Sequence, residues 1–67
     1  MTVESDLQKA IATAESAKGN YAVFAESTED IMAKSMFSQM AQDMDGHIQQ
    51  LNSRLSYLKK YNQLNNQ

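Results

Sequence analysis

The sequence predicts an all-α protein, an antiparallel two-helix hairpin that dimerises into a four-helix bundle. The 67 residues include no proline and only two glycines. Alanine, methionine, leucine, glutamine and lysine, which favour helix interiors, recur throughout. Apolar residues recur at alternating steps of four and three, which places them along one face of a helix. A second copy is expected because so short a chain, without cysteine, can bury only a small core.

The first helix is predicted over about residues 3–27. Thr2 or Ser5 can cap its start, and Ser5 with Gln8 has the spacing of a capping box. The face that should pack against a second helix, here called the seam, consists of Val3, Leu7, Ala10, Ala14, Ala17, Tyr21, Phe24 and Thr28.

The second helix is predicted over about residues 31–60, after a turn at about residues 28–30. Ser27 with Asp30 has the spacing of a capping box, and Thr28 or Asp30 could also serve as the N-cap. Residues 61–67 are polar and uncharged, and this tail is expected to fray. The seam of the second helix consists of Ala33, Phe37, Met40, Met44, Ile48, Leu51, Leu55 and Leu58.

The two seams match in an antiparallel register. Facing residues in such a hairpin have position numbers with a nearly constant sum, and the pairs that satisfy this include Phe24 with Phe37, Ala17 with Met44, and Ala14 with His47. The small alanines then lie opposite bulky side chains, which allows close packing.

The distribution of charge favours the same arrangement. All eight acidic residues lie within residues 4–45, and the basic residues that follow them have no acid nearby. An antiparallel hairpin brings Glu4 and Asp6 towards Lys59 and Lys60. Lys18 falls within the apolar stripe of the first helix, with its stem expected along the core and its ammonium group in water.

Apolar residues extend beyond the two seams, which predicts self-association into a dimeric four-helix bundle. The additional ones are Met36, Tyr57 and Tyr61 in the second helix, with Ile11, Ala25 and Phe24 in the first. The alternative is a monomer with a few exposed apolar residues. The predicted self-association residues are Met36, Phe37, Met40, Met44, Ile48, Leu51, Leu55, Tyr57 and Leu58.

The only histidine raises the question of a metal site. Ferritin-like bundles use Glu-x-x-His, but the residue three before His47 is Met44. Asp43 lies one turn before His47 but outside the seam, and Asp45 is expected to point to another side. We therefore predict no metal ligands and a boundary histidine paired with Asp43. A metal-binding bundle that uses His47 and Asp43 is the competing hypothesis.

Several function classes are disfavoured by composition. With one histidine and no cysteine, no nucleophile–base–orienter set can be drawn, so no enzymatic activity and no cofactor are expected. A net charge of −2 argues against a nucleic-acid partner. The start of the chain lacks the pattern of a signal peptide, so the protein is expected to be cytoplasmic.

The chain as a whole resembles the domain of unknown function 1657 family, small proteins of endospore-forming bacteria. The matching features are the "MTV" start, Phe24-Ala25 with Thr28, Ala33-Lys34 with Met36-Phe37 and Ala41, and "LNSR" at 51–54. The family segment often has proline where this chain has Ser53, so the second helix is expected to run straighter here. The resemblance implies a role in sporulation and a location in the forespore or spore, and it supplies no catalytic residues.

These observations together predict a non-enzymatic structural or interaction module that self-associates and acts in sporulation. Its expected partners are a second copy of itself and a further protein, for which a spore membrane protein is the candidate. The alternatives are a ferritin-like metal-binding bundle and a soluble adaptor of a spore membrane protein.

Overall fold

A computed structural model describes residues 2–61, which form two helices joined by a short turn. Helix α1 spans Val3–Ser27 and helix α2 spans Ile31–Lys60. The helices pack against each other along their length. This confirms the predicted all-α helical hairpin, whereas the four-helix bundle stays a prediction. Apart from Tyr61, the predicted frayed tail lies outside the described residues.

Side-chain caps fix where each helix begins. The Thr2 hydroxyl accepts a hydrogen bond from the Ser5 N–H at 3.0 Å, and the Asp30 carboxylate accepts one from the Ala33 N–H at 2.8 Å. Each cap satisfies one of the N–H groups that the first turn of a helix leaves without a partner. Of the predicted candidates, Thr2 is therefore the N-cap of α1 and Asp30 is the N-cap of α2.

The turn between the helices is held by short-range hydrogen bonds. The Thr28 N–H donates to the Phe24 carbonyl at 3.0 Å and closes the last turn of α1. The Thr28 hydroxyl then accepts from the Asp30 N–H at 3.2 Å, which positions Asp30 as the cap of α2. The chain thus reverses direction over three residues without glycine or proline.

The predicted seam of α1 needs correction at its end. The sequence predicts Phe24 in the seam and also counts it, with Ala25, among the flanking apolar residues, but Ala25 is 8% exposed and Phe24 is 47% exposed. An unsupercoiled helix drifts by about 20° per heptad relative to a strict seven-residue repeat. Along α1 this drift brings Ala25 inward and moves Phe24 to the side.

The predicted pairing of Ala14 with His47 is also wrong. Ala14 is buried, but the side of α2 turned towards α1 is formed by Met44 and Ile48, which are partly buried, whereas His47 is exposed. Asp45, expected to point elsewhere, is partly buried and lies against α1.

The hairpin is a rod with extents of 51 × 17 × 11 Å. Its radius of gyration is 15.4 Å, whereas a compact domain of this length would have about 11 Å. Neither helix in the described part of the chain is apolar enough, over a sufficient length, to span a membrane.

Candidate self-association surface

The hairpin has very little core of its own. Within residues 2–61 the buried apolar residues are Ala14, Ala25 and Leu58, and no side chain is less than 2% exposed. Two of these three are alanines, so Leu58 is the single large side chain that the hairpin buries. One helix face packed against one other helix leaves the sides of both helices uncovered.

The predicted self-association residues divide into three groups by burial. Met36 and Tyr57 are 55% and 48% exposed, on the outside of the hairpin. Leu58 is buried against α1. The others form the seam with α1 but keep part of their surface accessible; they are Phe37, Met40, Met44, Ile48, Leu51 and Leu55.

Large apolar residues are exposed at both ends of the rod. The turn end, residues 22–38, exposes Val23, Phe24, Ile31, Met32 and Met36. Ile31 and Met32 are 81% and 80% exposed, and both follow directly after the cap of α2. The sequence analysis did not single out Val23, Ile31 or Met32, although Met32 lies one helical turn before Met36 and could have been found by that spacing.

Aromatic rings support the turn end. The rings of Phe24 and Phe37 have centroids 5.5 Å apart, and the ring of Tyr21 stacks on that of Phe37 at 6.5 Å. Phe37 therefore contacts two rings of α1, and the outer side of the Phe24 ring stays in water. The exposed Phe24 ring is therefore backed by Phe37, which in turn stacks on Tyr21.

The terminal end, residues 2–10 and 52–61, combines aromatic rings with cations. The Tyr57 and Tyr61 rings have centroids 4.6 Å apart. The Arg54 guanidinium lies 5.2 Å from the centroid of the Tyr57 ring, a distance typical of a cation–π contact. Val3 is 54% exposed at the same end. These side chains form an exposed surface that is apolar and positively charged.

One side of the hairpin, here called the polar flank, carries polar links between α1 and α2. Lys18 Nζ lies 2.8 Å from an Asp45 carboxylate oxygen, and Lys59 Nζ lies 3.9 Å from one of Glu4. The Lys59–Glu4 pair confirms the predicted approach of the first turn of α1 to the end of α2. Lys18, predicted to reach water, is half exposed and paired with Asp45.

The third polar link joins a side chain to the backbone. Lys34 Nζ donates a hydrogen bond to the Ala25 carbonyl in the last turn of α1. That turn has no basic residue of its own. A lysine of α2 thus supplies the cation that the negative end of the α1 dipole favours. Beside this bond lies an open groove lined by Ala22, Val23, Ala25, Glu26, Lys34, Ser38 and Ala41.

The metal candidates do not form a ligand group. His47 and Asp43 are both exposed on the side of α2 that faces away from the polar flank. The Asp43 carboxylate accepts a hydrogen bond from the Gln39 side chain at 3.0 Å. No cluster of three or more His, Cys, Asp or Glu side chains suited to a metal ion occurs within residues 2–61.

Comparison with protein families gives a match over most of the chain. The model of the DUF1657 family, described as proteins of unknown function, matches residues 7–55. The matched segment contains the turn, the polar links through Lys18 and Lys34, and all of the seam except Val3 and Leu58. Comparisons with curated proteins and with solved structures gave no match.

Proposed function

Because the chain belongs to the DUF1657 family, whose function is not established, we propose a function from its exposed surfaces. The protein is a non-enzymatic structural or interaction module, and its first partner is a second copy of itself. Two hairpins pack side by side as a dimeric four-helix bundle, the arrangement in which two-helix units cover their exposed sides.

The observation that carries this proposal is the mismatch between buried and exposed apolar side chains. Leu58 is the one large side chain that is buried within residues 2–61, while eight large apolar side chains are exposed. A core this small gives a chain of this length little stability, and small proteins compensate with disulfides, metals or oligomerisation. The sequence has no cysteine and so cannot form disulfides. Self-association would bury the exposed apolar side chains instead.

The cellular setting of the proposal rests on the family resemblance. We propose that the protein acts during sporulation, in the cytoplasm of the forespore or in the spore. The bundle would leave the outer sides of its helices available to a further protein, and a spore membrane protein is the proposed partner class. The sporulation role predicts accumulation of the protein after the onset of sporulation; accumulation confined to growing cells contradicts it.

The solution mass tests self-association. Light scattering coupled to size exclusion, over a hundredfold range of concentration, is expected to give twice the chain mass of 7.5 kDa. The midpoint of thermal unfolding should rise with protein concentration, because dimerisation stabilises the folded state by mass action. A folded monomer with a concentration-independent midpoint would refute the proposal.

A matched pair of variants locates the surface. Met36→Lys places a charge among exposed apolar residues at the turn end and is expected to shift the mass towards monomer. Gln49→Lys adds the same charge at an exposed position on the back of α2 and should leave the mass unchanged. Equal effects of both substitutions would show that α2 does not carry the surface where we place it.

A further inference from the structure

The two ends of the rod carry opposite charge as well as exposed apolar side chains. The turn end has three acidic residues and one lysine, a net charge of −2. The terminal end has two acidic and four basic residues, a net charge of +2. Every large apolar side chain reported as exposed within residues 2–61 belongs to one of these two ends. One end of the rod is therefore apolar and negatively charged, and the other end is apolar and positively charged.

A row of exposed residues on α2 connects the two ends. It consists of Met36, Asp43, His47, Arg54 and Tyr61, at steps of seven, four, seven and seven, and is called the outer row. Its members Met36, Asp43 and Tyr61 each lie two positions from Lys34, Asp45 or Lys59 of the polar flank. Two positions correspond to about 200° around a helix. The outer row thus runs along the side of the hairpin opposite the polar flank.

The outer row is complementary to itself when one copy is reversed. Met36 and Tyr61 lie equally far on either side of a point between Ile48 and Gln49, and Asp43 and Arg54 are centred on the same point. A two-fold axis through that point sets Met36 of one copy against Tyr61 of the other, and Asp43 against Arg54. The symmetry makes each contact twice.

We infer that two copies pack antiparallel through their outer rows, so that the turn end of each copy covers the terminal end of the other. This inference rests on the proposed self-association and specifies its geometry. The polar flank remains on the outside of the dimer, where its ion pairs stay solvated. The Arg54 guanidinium, 5.2 Å from the Tyr57 ring centroid, has five N–H donors with which it can also bind a carboxylate.

The parallel arrangement is disfavoured by charge. About a two-fold axis parallel to the rod, each residue of the outer row would meet its own copy, Asp43 against Asp43 and Arg54 against Arg54. The two negative turn ends would also lie together, as would the two positive terminal ends. Charged residues beside a helical interface select orientation in this way in coiled coils.

Cysteine cross-linking tests the orientation, because the natural chain has no cysteine. Met36→Cys and Tyr61→Cys proteins, one of them isotope-labelled, are mixed, allowed to exchange and oxidised or treated with a short thiol-reactive linker. We expect a mixed 36–61 product. Each variant alone should stay uncross-linked, because in the antiparallel dimer identical positions are about 37 Å apart, at roughly 1.5 Å per residue. Glu15→Cys, an exposed position towards the polar flank, is the control and should cross-link with neither.

Charge reversal tests the register. Asp43→Arg and Arg54→Asp should each weaken the dimer by roughly tenfold in Kd at low salt, because two opposite-charge contacts become repulsive. The doubly reversed variant should return to within about threefold of the natural dimer. Glu15→Arg changes the net charge as much as Asp43→Arg does, but away from the outer row, and should leave the Kd unchanged.

The outcomes separate the inference from the proposal on which it rests. A monomer by light scattering, without cross-links, overturns self-association and the antiparallel dimer together. A stable dimer in which Met36→Cys links to itself, or in which the double reversal does not restore the Kd, overturns the antiparallel geometry alone. A mixed 36–61 product with restoration by the double reversal supports both.

Discussion

The bond between Lys34 and the end of α1 should contribute measurably to the stability of the hairpin. Its acceptor, the Ala25 carbonyl, belongs to the last turn of α1, whose carbonyls lack partners within the helix. Ala25 itself is among the most buried residues. Lys34→Met removes the donor and the positive charge while keeping a long side chain of similar shape.

The expected loss follows from the partial exposure of the site. A hydrogen bond to a charged group contributes about 1.5–3 kcal/mol, but Lys34 is exposed to water, so we expect about 1–2 kcal/mol. In a domain of this size each kcal/mol shifts the unfolding midpoint by about 4–8 °C. Lys34→Met should therefore lower the midpoint by roughly 5–15 °C.

The assay is thermal unfolding followed by circular dichroism at one fixed protein concentration, because dimerisation alone would shift the midpoint. Lys9→Met is the matched control, since it removes the same charge at an exposed position of α1 that lies outside the last turn of either helix. It should cause less than half of the loss. A Lys34→Met protein as stable as the natural one, or an equal loss in the control, would refute the assignment of Lys34 as the cap of α1.

Three further predictions concern the core, the glycines and the polar flank. Leu58→Ala should lower the free energy of unfolding by about 2–5 kcal/mol and remove most of the thermal transition. It truncates the one large buried side chain within residues 2–61. A near-natural midpoint of unfolding would show that the core lies elsewhere. Gly19→Ala in α1 and Gly46→Ala in α2 should each stabilise the protein by about 1 kcal/mol, since the added methyl group meets open space in the hairpin. A loss of stability at Gly46 alone would mean that another chain packs closely there. A double-mutant cycle of Lys18→Ala and Asp45→Ala, measured by urea denaturation, should give a coupling energy of about 0.2–1 kcal/mol. The coupling should fall in high salt, because both side chains are half exposed. Zero coupling at low salt would contradict the ion pair.

The parts of the fold that could be predicted are those encoded by spacing along the chain. The steps of three and four residues give each helix its inner face, and the matched registers of the two faces give the hairpin. The caps Thr2 and Asp30 follow from side-chain type and position. The Glu4–Lys59 pair follows once the register is set, because each residue lies in a terminal turn.

The inner position near the end of α1 could not be predicted from spacing. Phe24 and Ala25 are adjacent, and which of them faces α2 depends on how far the helices coil around each other. The heptad pattern assumes full coiling and selects Phe24. The structure places Ala25 inside, and the Phe24 ring contacts Phe37 from the side. Coiling is a property of the packed pair, so a single helix pattern cannot fix it.

Two of the three polar links, those of Lys34 and Lys18, were not predicted from the sequence. The acceptor of Lys34 is a backbone carbonyl, which has no sequence signature. A partner for Lys18 could have been sought, because Lys18 interrupts the apolar stripe of α1, but the predicted register places Asp43 directly opposite it and Asp45 two positions further along α2. A charged residue inside an apolar stripe predicts a partner of opposite charge across the seam. We expect this rule to apply where the charged groups of both residues stay exposed to solvent.

Asp43 and Asp45 show why folding and association can be separated in this hairpin. They are two positions apart on α2, and Asp45 pairs with Lys18 within the chain, whereas Asp43 is exposed in the outer row. In the antiparallel dimer, reversal of Asp43 opposes Arg54 of the second copy and changes the Kd with little change in the stability of each hairpin. Reversal of Asp45 opposes Lys18 and lowers the free energy of unfolding at every concentration. Because one helix presents these residues on opposite sides, unfolding and dimer dissociation measured on the two variants distinguish a surface that holds the hairpin together from one that recognises a second copy.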